Sequence, residues 1–282
     1  MRRPLMLISV LLSGLGCQTT TNQTRLLIGP DQAKKIDLTL SGPIAGDTAG
    51  FVYFVTPGNL MRYDPKSHQI EPMLVNPSQE IRDVAVTPDG GVLALLPQEL
   101  DAYVAGHLVK VHGVPGRAAA VSCDREFAYL LTTTPKGAAL LRYHLTGGKK
   151  GTRDTLLTLE DRPGALCAVP GGCLVASGGN IVKVTDPIPT AGQAEPLVAT
   201  VLLVALRENV TSVAVDPRHG YVYFATTDST FVWAQGRILP VFPAGSRLAW
   251  VNDTLTVCQP SVGQVVQIGA VSGHVQRLLA GG

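Results

Sequence analysis

Five arginines stand at comparable places in this chain of 282 residues, each just before a short alternating run of small and aliphatic residues. A guanidinium group presents its hydrogen-bond donors in a planar fork that fits the oxygens of carboxylates and phosphates. If the five runs converge in the fold, these groups would focus positive potential on an anionic ligand. The candidate binding residues are Arg82, Arg117, Arg162, Arg207 and Arg247.

Acidic residues near the same positions leave an alternative open. Glu80, Asp83, Asp161 and Glu208 are close in sequence to the arginines and could neutralise them, which would give a loop surface of mixed charge. The net charge is only +2, and the sequence shows no concentrated group of lysines and arginines of the kind that nucleic-acid binding requires. Nucleic acid is therefore not an expected partner.

Other residues that could do chemistry have structural interpretations. The aspartates at 47, 89, 124, 216 and 253 recur in turns, where an Asp side chain bonds its own backbone. The six histidines have no Ser or Asp companion at a recognisable spacing, and no CxxC or His-x-His pair suggests zinc. The sequence therefore predicts no catalytic residue, no metal and no cofactor.

A repeat explains most of the sequence. Six junctions, at which a tight turn leads into an apolar strand, begin at Gly50, Gly91, Glu126, Gly172, Gly220 and Asp253. A period of about 40 residues filled with short strands is typical of propeller blades, in which each unit buries its faces only against its neighbours. We expect an all-β fold, a six-bladed β-propeller of four-stranded antiparallel blades.

The alternating run before each junction predicts the innermost strand of each blade. Alignment of the runs places small residues in one column, as convergence around a central axis demands. The column contains Ala45, Ala85, Ala120, Cys167, Ala214 and Ala249. Residues 35–40 suggest an additional strand beside the last blade, and residues 197–206 suggest the fourth strand of the fourth blade.

Two segments of the sequence resemble repeats of known propeller families. Residues 215–228, which begin Val-Asp-Pro-Arg-His-Gly-Tyr, and residues 86–91, Val-Thr-Pro-Asp-Gly-Gly, resemble repeats of YWTD, NHL and gluconolactonase-like six-bladed propellers. The resemblance covers nearly the whole mature chain and implies the fold, while function differs among these families. Gluconolactonase-like propellers hold a divalent metal with Glu, Asn and Asp, for which the candidates would be Glu80, Asn180, Asn209 and Asp228. None of these four residues lies in a sequence motif that matches the family, so the resemblance gives no reason to predict a metal site here.

The N-terminus predicts export. Arg2 and Arg3 precede the apolar run at 4–12, and small residues lead to Cys17. The apolar run is too short to span a bilayer comfortably. Cys17 resembles the lipidated first residue of a mature bacterial lipoprotein, which implies a signal at 1–17, a tether at 18–34 and the propeller at 35–282. Ordinary secretion with an unmodified Cys17 remains the alternative.

Four further cysteines follow Cys17. An oxidising compartment permits a disulfide, and Cys167 and Cys173 flank the turn at 169–172. Packing explains both residues equally well, since Cys167 belongs to the small column and Cys173 fills an apolar slot, so the pairing stays open.

Taken together, these features favour a non-catalytic binding or scaffolding lipoprotein of the bacterial envelope, periplasmic or on the cell surface. The resemblance to bacterial lipoproteins implies the outer membrane, because Gln18 stands where inner-membrane lipoproteins of enterobacteria have an aspartate. The partner would be an envelope protein complex or another protein, with an anionic ligand as a further option and the membrane reached through the N-terminal lipid. A gluconolactonase-like hydrolase or lyase acting on a small sugar acid or lactone is the alternative function.

Overall fold

The computed structural model describes residues 34–36, 39–185, 189–190, 193–194, 198–203, 208–243, 247–269 and 275–281. Within these ranges the strands form six principal sheets, and the first strands of successive sheets contact one another in a closed ring. The expected all-β propeller of six antiparallel blades is confirmed. The expected signal and Cys17 lie outside the described residues. No helix in the described ranges is long and apolar enough to cross a membrane.

The first strand, β1, is Lys34–Ile36. Blade 1 consists of β2 Ile44–Gly46, β3 Val52–Thr56, β4 Asn59–Asp64 and β5 Gln69–Val75, and blade 2 of β6 Asp83–Val86, β7 Val92–Leu95, β8 Glu99–Val104 and β9 His107–Gly113. Blade 3 consists of β10 Arg117–Cys123, β11 Phe127–Thr134, β12 Gly137–His144 and β13 Arg153–Leu159.

Blade 4 consists of β14 Pro163–Val169, β15 Gly172–Ser177, β16 Asn180–Thr185 and β19 Val198–Leu203, with an inserted hairpin of β17 Pro189–Thr190 and β18 Gln193–Ala194. Blade 5 consists of β20 Ser212–Asp216, β21 Tyr221–Ala225, β22 Ser229–Ala234 and β23 Arg237–Pro243. Blade 6 consists of β24 Arg247–Val251, β25 Thr254–Gln259, β26 Gln264–Gly269 and β27 Val275–Gly281, with a 3-10 turn at Pro260–Val262.

Blade 6 gains a fifth strand from the N-terminal part of the chain. Strand β1 pairs in parallel with β27, with Lys34 opposite Leu279 and Ile36 opposite Gly281. This confirms the expectation of an extra strand beside the last blade, although the strand covers Lys34–Ile36 rather than residues 35–40. The fourth strand of blade 4 is β19, also as expected.

Every blade contains a register shift between its third and fourth strands. The shift falls between Leu60 and Met61 in blade 1, and at the corresponding place in the other five blades. A bulge of this kind bends a strand and increases its right-handed twist. Its repetition therefore introduces a bend at the corresponding place in all six blades.

The core consists of six clusters, each between neighbouring blades. Tyr53 and Ala94 belong to the cluster between blades 1 and 2, and Phe54 and Val265 to the one that closes the ring between blades 6 and 1. Each residue of the small column lies on an inner strand and packs toward the next blade. The column is small because adjacent inner strands approach each other closely there.

Polar side chains join inner strands of neighbouring blades. The backbone N–H of Val121 donates to Asp83 Oδ2 at 2.9 Å, and that of Ala168 donates to Ser122 Oγ at 2.8 Å. Leu248 N–H donates to Ser212 Oγ, also at 2.8 Å. These bonds satisfy backbone donors on the open edge of the inner strands, where no ladder partner exists.

The column makes a testable prediction about stability. Ala214 is 2% exposed and packs in the cluster that contains Leu248. Replacement by Leu would overpack this interface between blades 5 and 6, and we expect Ala214→Leu to lower the free energy of unfolding by about 1–3 kcal/mol. Thermal and denaturant unfolding measure the loss. Ala49→Leu, in an exposed turn, is the control, and equal stability of both variants and the wild type would contradict the packing argument.

Candidate functional site

Four of the five arginines meet around one cavity. Arg82 and Arg162 immediately precede β6 and β14, while Arg117 and Arg247 open β10 and β24. All four line a cavity of about 840 Å³ at one end of the propeller axis, which we call the arginine cavity. They come from blades 2, 3, 4 and 6 and converge because the inner strands all begin at this face. Arg207 lies outside the described residues.

A loop of blade 1 and the connection between blades 1 and 2 complete the wall of the arginine cavity. Residues 56–59, between the second and third strands of blade 1, lie beside residues 77–82, which connect blade 1 to blade 2. Thr133, from the second strand of blade 3, also belongs to the lining. These loops share a face with the arginines, as the strand order of a propeller requires. They add neutral hydrogen-bonding groups that the sequence alone did not single out, including those of Asn59 and Ser78.

The lining of the arginine cavity is predominantly cationic. It contains four arginines and one glutamate, Glu80, which leaves a formal excess of three positive charges. Asp161 and Glu208 are not part of the lining, and Asp83 borders the channel below. The neighbouring acids that can neutralise these arginines, the alternative left open by the sequence, are therefore Glu80 within the described lining and Asp83, which interacts with Arg247 from the channel below.

Arg82 combines a fixed backbone with a partly satisfied side chain. Its N–H donates to Leu95 O at 2.7 Å, which fixes the start of the inner strand of blade 2. Its Nη2 lies 3.0 Å from Glu80 Oε2, whereas its Nε is buried and has no hydrogen-bond partner. A buried donor left unpaired costs free energy, so an acceptor that reached Nε would be favoured.

Arg247 stands where the arginine cavity meets the central channel. Its Nη1 donates to Thr211 O of blade 5 at 2.7 Å, which holds the side chain across a blade boundary. Arg247 lines both the arginine cavity and a second cavity of about 250 Å³ that runs between the inner strands. The walls of this channel carry the small column, including Ala85, Ala120 and Ala214.

Asp83 places a carboxyl group in that channel. Burial raises its pKa to about 6, although the charge of Arg247 and bonds from the backbone N–H groups of Val121 and Val84 act in the opposite direction. The group therefore changes charge in mildly acidic solution, directly beneath the arginines. The signal in the sequence was an Asp at the start of an otherwise apolar inner strand.

Three of the recurring aspartates accept hydrogen bonds from the backbone of their own turns at the opposite face, whereas Asp253 pairs with Arg218. Asp47 Oδ1 accepts from the N–H groups of Ala49 and Phe51, at 3.0 and 2.9 Å, and its Oδ2 accepts from the hydroxyl of Tyr53. Asp124 and Asp216 likewise accept from backbone N–H groups of their own turns. Within the described residues no group of three or more His, Cys, Asp or Glu side chains could hold a metal ion.

The cysteine pairing left open by the sequence does not form. Cys167 is paired with Leu174 and Ala168 with Cys173 across β14 and β15, so the two thiols point to opposite faces of the sheet. Cys167 packs between blades 4 and 5, and Cys173 between blades 3 and 4. Burial raises the pKa of the Cys123, Cys167 and Cys258 thiols to about 12, which removes them as thiolate nucleophiles at neutral pH.

The metal-holding arrangement of gluconolactonase-like propellers does not fit the residues present. Of the four candidates, only Glu80 lines the arginine cavity, and its carboxylate contacts Arg82. Asn180 instead donates to Asp161 at 3.5 Å, and Asn209 and Asp228 lie exposed outside the lining.

Comparisons with known proteins show the fold. No family model and no curated protein matches the sequence. Among solved structures, a propeller in the nidogen/laminin complex is 10% identical, with 81% of this chain and 93% of that chain covered and a TM-score of 0.65. A gluconolactonase from Xanthomonas campestris is 12% identical, with 79% and 84% covered and a TM-score of 0.62. Virginiamycin B lyase from Staphylococcus aureus is 10% identical, with 87% of each chain covered and a TM-score of 0.59.

The raised pKa of Asp83 predicts a pH-dependent stability. In the unfolded chain this carboxyl group ionises near the ordinary aspartate pKa of 3.8, whereas in the folded protein it keeps its proton up to about pH 6. The folded state therefore holds more protons between these values, and stability falls as the pH rises through that window. Asp83→Asn keeps an oxygen acceptor for Val121 N–H and removes the ionisation, so it should gain about 1–2 kcal/mol over the wild type at neutral pH.

Urea unfolding across the acidic to neutral range measures this difference. Asp228→Asn, which removes an exposed carboxylate at the same face, is the matched control. A wild-type stability whose dependence on pH matches that of Asp83→Asn would show that Asp83 does not titrate in this window.

Proposed function

We propose that this protein is a non-catalytic binding or scaffolding module that docks an acidic protein partner on the face that contains the arginine cavity. The observation that carries the proposal is the convergence of Arg82, Arg117, Arg162 and Arg247, from four different blades, on one cavity of about 840 Å³. Loops on a rigid scaffold are where binding commonly resides, and arginine is enriched among residues that dominate interface energies.

The charge balance of the cavity supports an anionic counterpart. Four guanidinium groups and a single carboxylate surround a concave surface, where the low-dielectric walls concentrate the potential. Arg247 is pre-positioned by its bond to Thr211 O, and the backbone of Arg82 by its bond to Leu95 O. Less side-chain freedom is lost on binding when such groups are already held.

The alternative, a gluconolactonase-like hydrolase or lyase, requires carboxylates and asparagines around one point. The described lining offers one carboxylate, on Glu80, and one asparagine, Asn59. The similarity to gluconolactonase and lyase structures is below 25% identity and concerns the fold alone. The residues present therefore favour binding, and the propeller in the nidogen/laminin complex is a case in which a similar fold occurs in a protein assembly.

Replacement of Arg82, Arg117 and Arg247 together by Ala tests the docking face. The triple variant removes three of the four charges of the arginine cavity, and we expect at least a tenfold loss of partner recovery from crosslinked cell envelopes. Recovery is quantified by mass spectrometry, with circular dichroism to verify that the variant is folded.

The chain offers a matched control for charge. Arg125, Arg218 and Arg237 are exposed in or beside turns at the opposite face, and their joint replacement by Ala changes the net charge equally. We expect this control to recover the partner as the wild type does. Equal recovery by a folded cavity variant would move the docking site away from the arginine cavity.

We further propose that the protein is exported and anchored to the outer membrane by lipid on Cys17, with residues 18–34 as the tether. The order of charged, apolar and small residues before Cys17 supports an export signal. A single acyl chain binds membranes only marginally, whereas several chains on one residue hold firmly.

Mass spectrometry of the mature N-terminus tests the anchor. We expect the first peptide to begin at Cys17 with acyl groups attached and Cys17→Ser to release the protein from the membrane fraction. An unmodified peptide that begins at or after Gln18 would exclude lipidation.

A further inference from the structure

The side chain of Arg82 has one donor edge that is only half used. In arginine, the Nε–H group and one N–H group of Nη2 point in the same direction and together bind two oxygens of one carboxylate. In Arg82, Nη2 contacts Glu80 Oε2 at 3.0 Å, while Nε is buried without a partner. The edge therefore lacks one acceptor.

Arg142 shows how this protein completes such an edge where the role is structural. Its Nε and Nη2 both point at Asp154 Oδ2, at 3.3 and 2.8 Å. Arg142 lies between strands of blade 3, far from the arginine cavity, with its side chain 11% exposed. Arg82 differs from Arg142 because it borders an open cavity and because its partner, the Glu80 carboxylate, contacts only Nη2.

Glu80 is suited to act as a replaceable partner. Its side chain is 68% exposed, compared with 28% for that of Arg82. It lies in the loop between β5 and β6, outside any strand. An exposed ion pair contributes about 0–1 kcal/mol, so a ligand that satisfies both Nε and Nη2 can displace it.

We propose that the Nε–Nη2 edge of Arg82 is the point at which the arginine cavity recognises a carboxylate of its ligand, that Glu80 competes for this edge, and that displacement of Glu80 lets the Arg82 side chain turn its buried Nε toward the ligand. This inference rests on the proposed function and names its chemistry. Arg117, Arg162 and Arg247 lie around the same cavity and bind further negative groups of the ligand, so a compound or peptide with several carboxylates is preferred.

Glu80→Gln removes the competing charge and keeps the side-chain shape. With the full-length protein and citrate as the probe, isothermal titration calorimetry at neutral pH and low salt should show binding about threefold to tenfold tighter than for the wild type. Arg82→Lys keeps a positive charge but cannot form the two-donor edge, so it should bind citrate at least threefold more weakly than the wild type.

Glu71→Gln is the control for loss of a carboxylate. Glu71 pairs with Arg62 at 2.6 Å on blade 1, outside the lining of the arginine cavity. We expect its affinity for citrate to equal that of the wild type. Wild-type affinity in Arg82→Lys, or no binding of citrate and of a glutamate peptide by any form, would overturn recognition by the Arg82 edge. Unchanged or weaker binding of both probes by Glu80→Gln would overturn the competition by Glu80.

A peptide of four glutamates and its glutamine counterpart identify the source of the carboxylate. Tighter binding of both citrate and the glutamate peptide by Glu80→Gln indicates that a free carboxylate suffices, and a response of the glutamate peptide alone indicates a carboxylate presented by a polypeptide. Wild-type affinity for these probes in the variant that lacks Arg82, Arg117 and Arg247 would refute the arginine cavity as the binding site. Binding that depends on these arginines but not on Glu80 would refute only the competition.

Discussion

The close approach of six inner strands around one axis is the constraint on which the rest of the structure depends. Each inner strand contacts its two neighbours and has no strand on its axial side, so it needs small side chains and alternative partners for its backbone. Five alanines and Cys167 meet the first need. Asp83, Ser122 and Ser212 meet part of the second, since each accepts an N–H group from the next blade.

The same constraint creates the arginine cavity. Because all inner strands begin at one face, arginines that are separated by 35, 45 and 85 positions in the sequence are brought around one opening. A long, charged side chain at a strand entrance can extend over the opening, whereas within the strand it would clash with the next blade. The position of Arg82 and Arg162 just before their strands follows from this limit.

The repeat allowed the fold and much of the site to be predicted. Spacing and the small column determined the blade number and the inner strands, and strand order then placed the arginines together. The repeat could not show whether Cys167 and Cys173 face each other, because a shift of one residue in the pairing of their strands moves a thiol to the other face of the sheet. The half-used edge of Arg82 and the buried carboxyl of Asp83 also depended on three-dimensional placement.

The described lining of the arginine cavity lacks the symmetry of the fold around it, and this asymmetry would orient the ligand that we propose. Blade 1 presents Pro43 at the start of its inner strand and contributes Thr56 and Asn59, all neutral. The cations come from blades 2, 3, 4 and 6. A symmetric cationic ring would attract an anion without fixing its direction. Blade 1 lies between blades 2 and 6, so the proposed ligand would meet Arg82 on one side of this neutral sector and Arg247 on the other, and its carboxylates would be directed to either side of blade 1 rather than toward it.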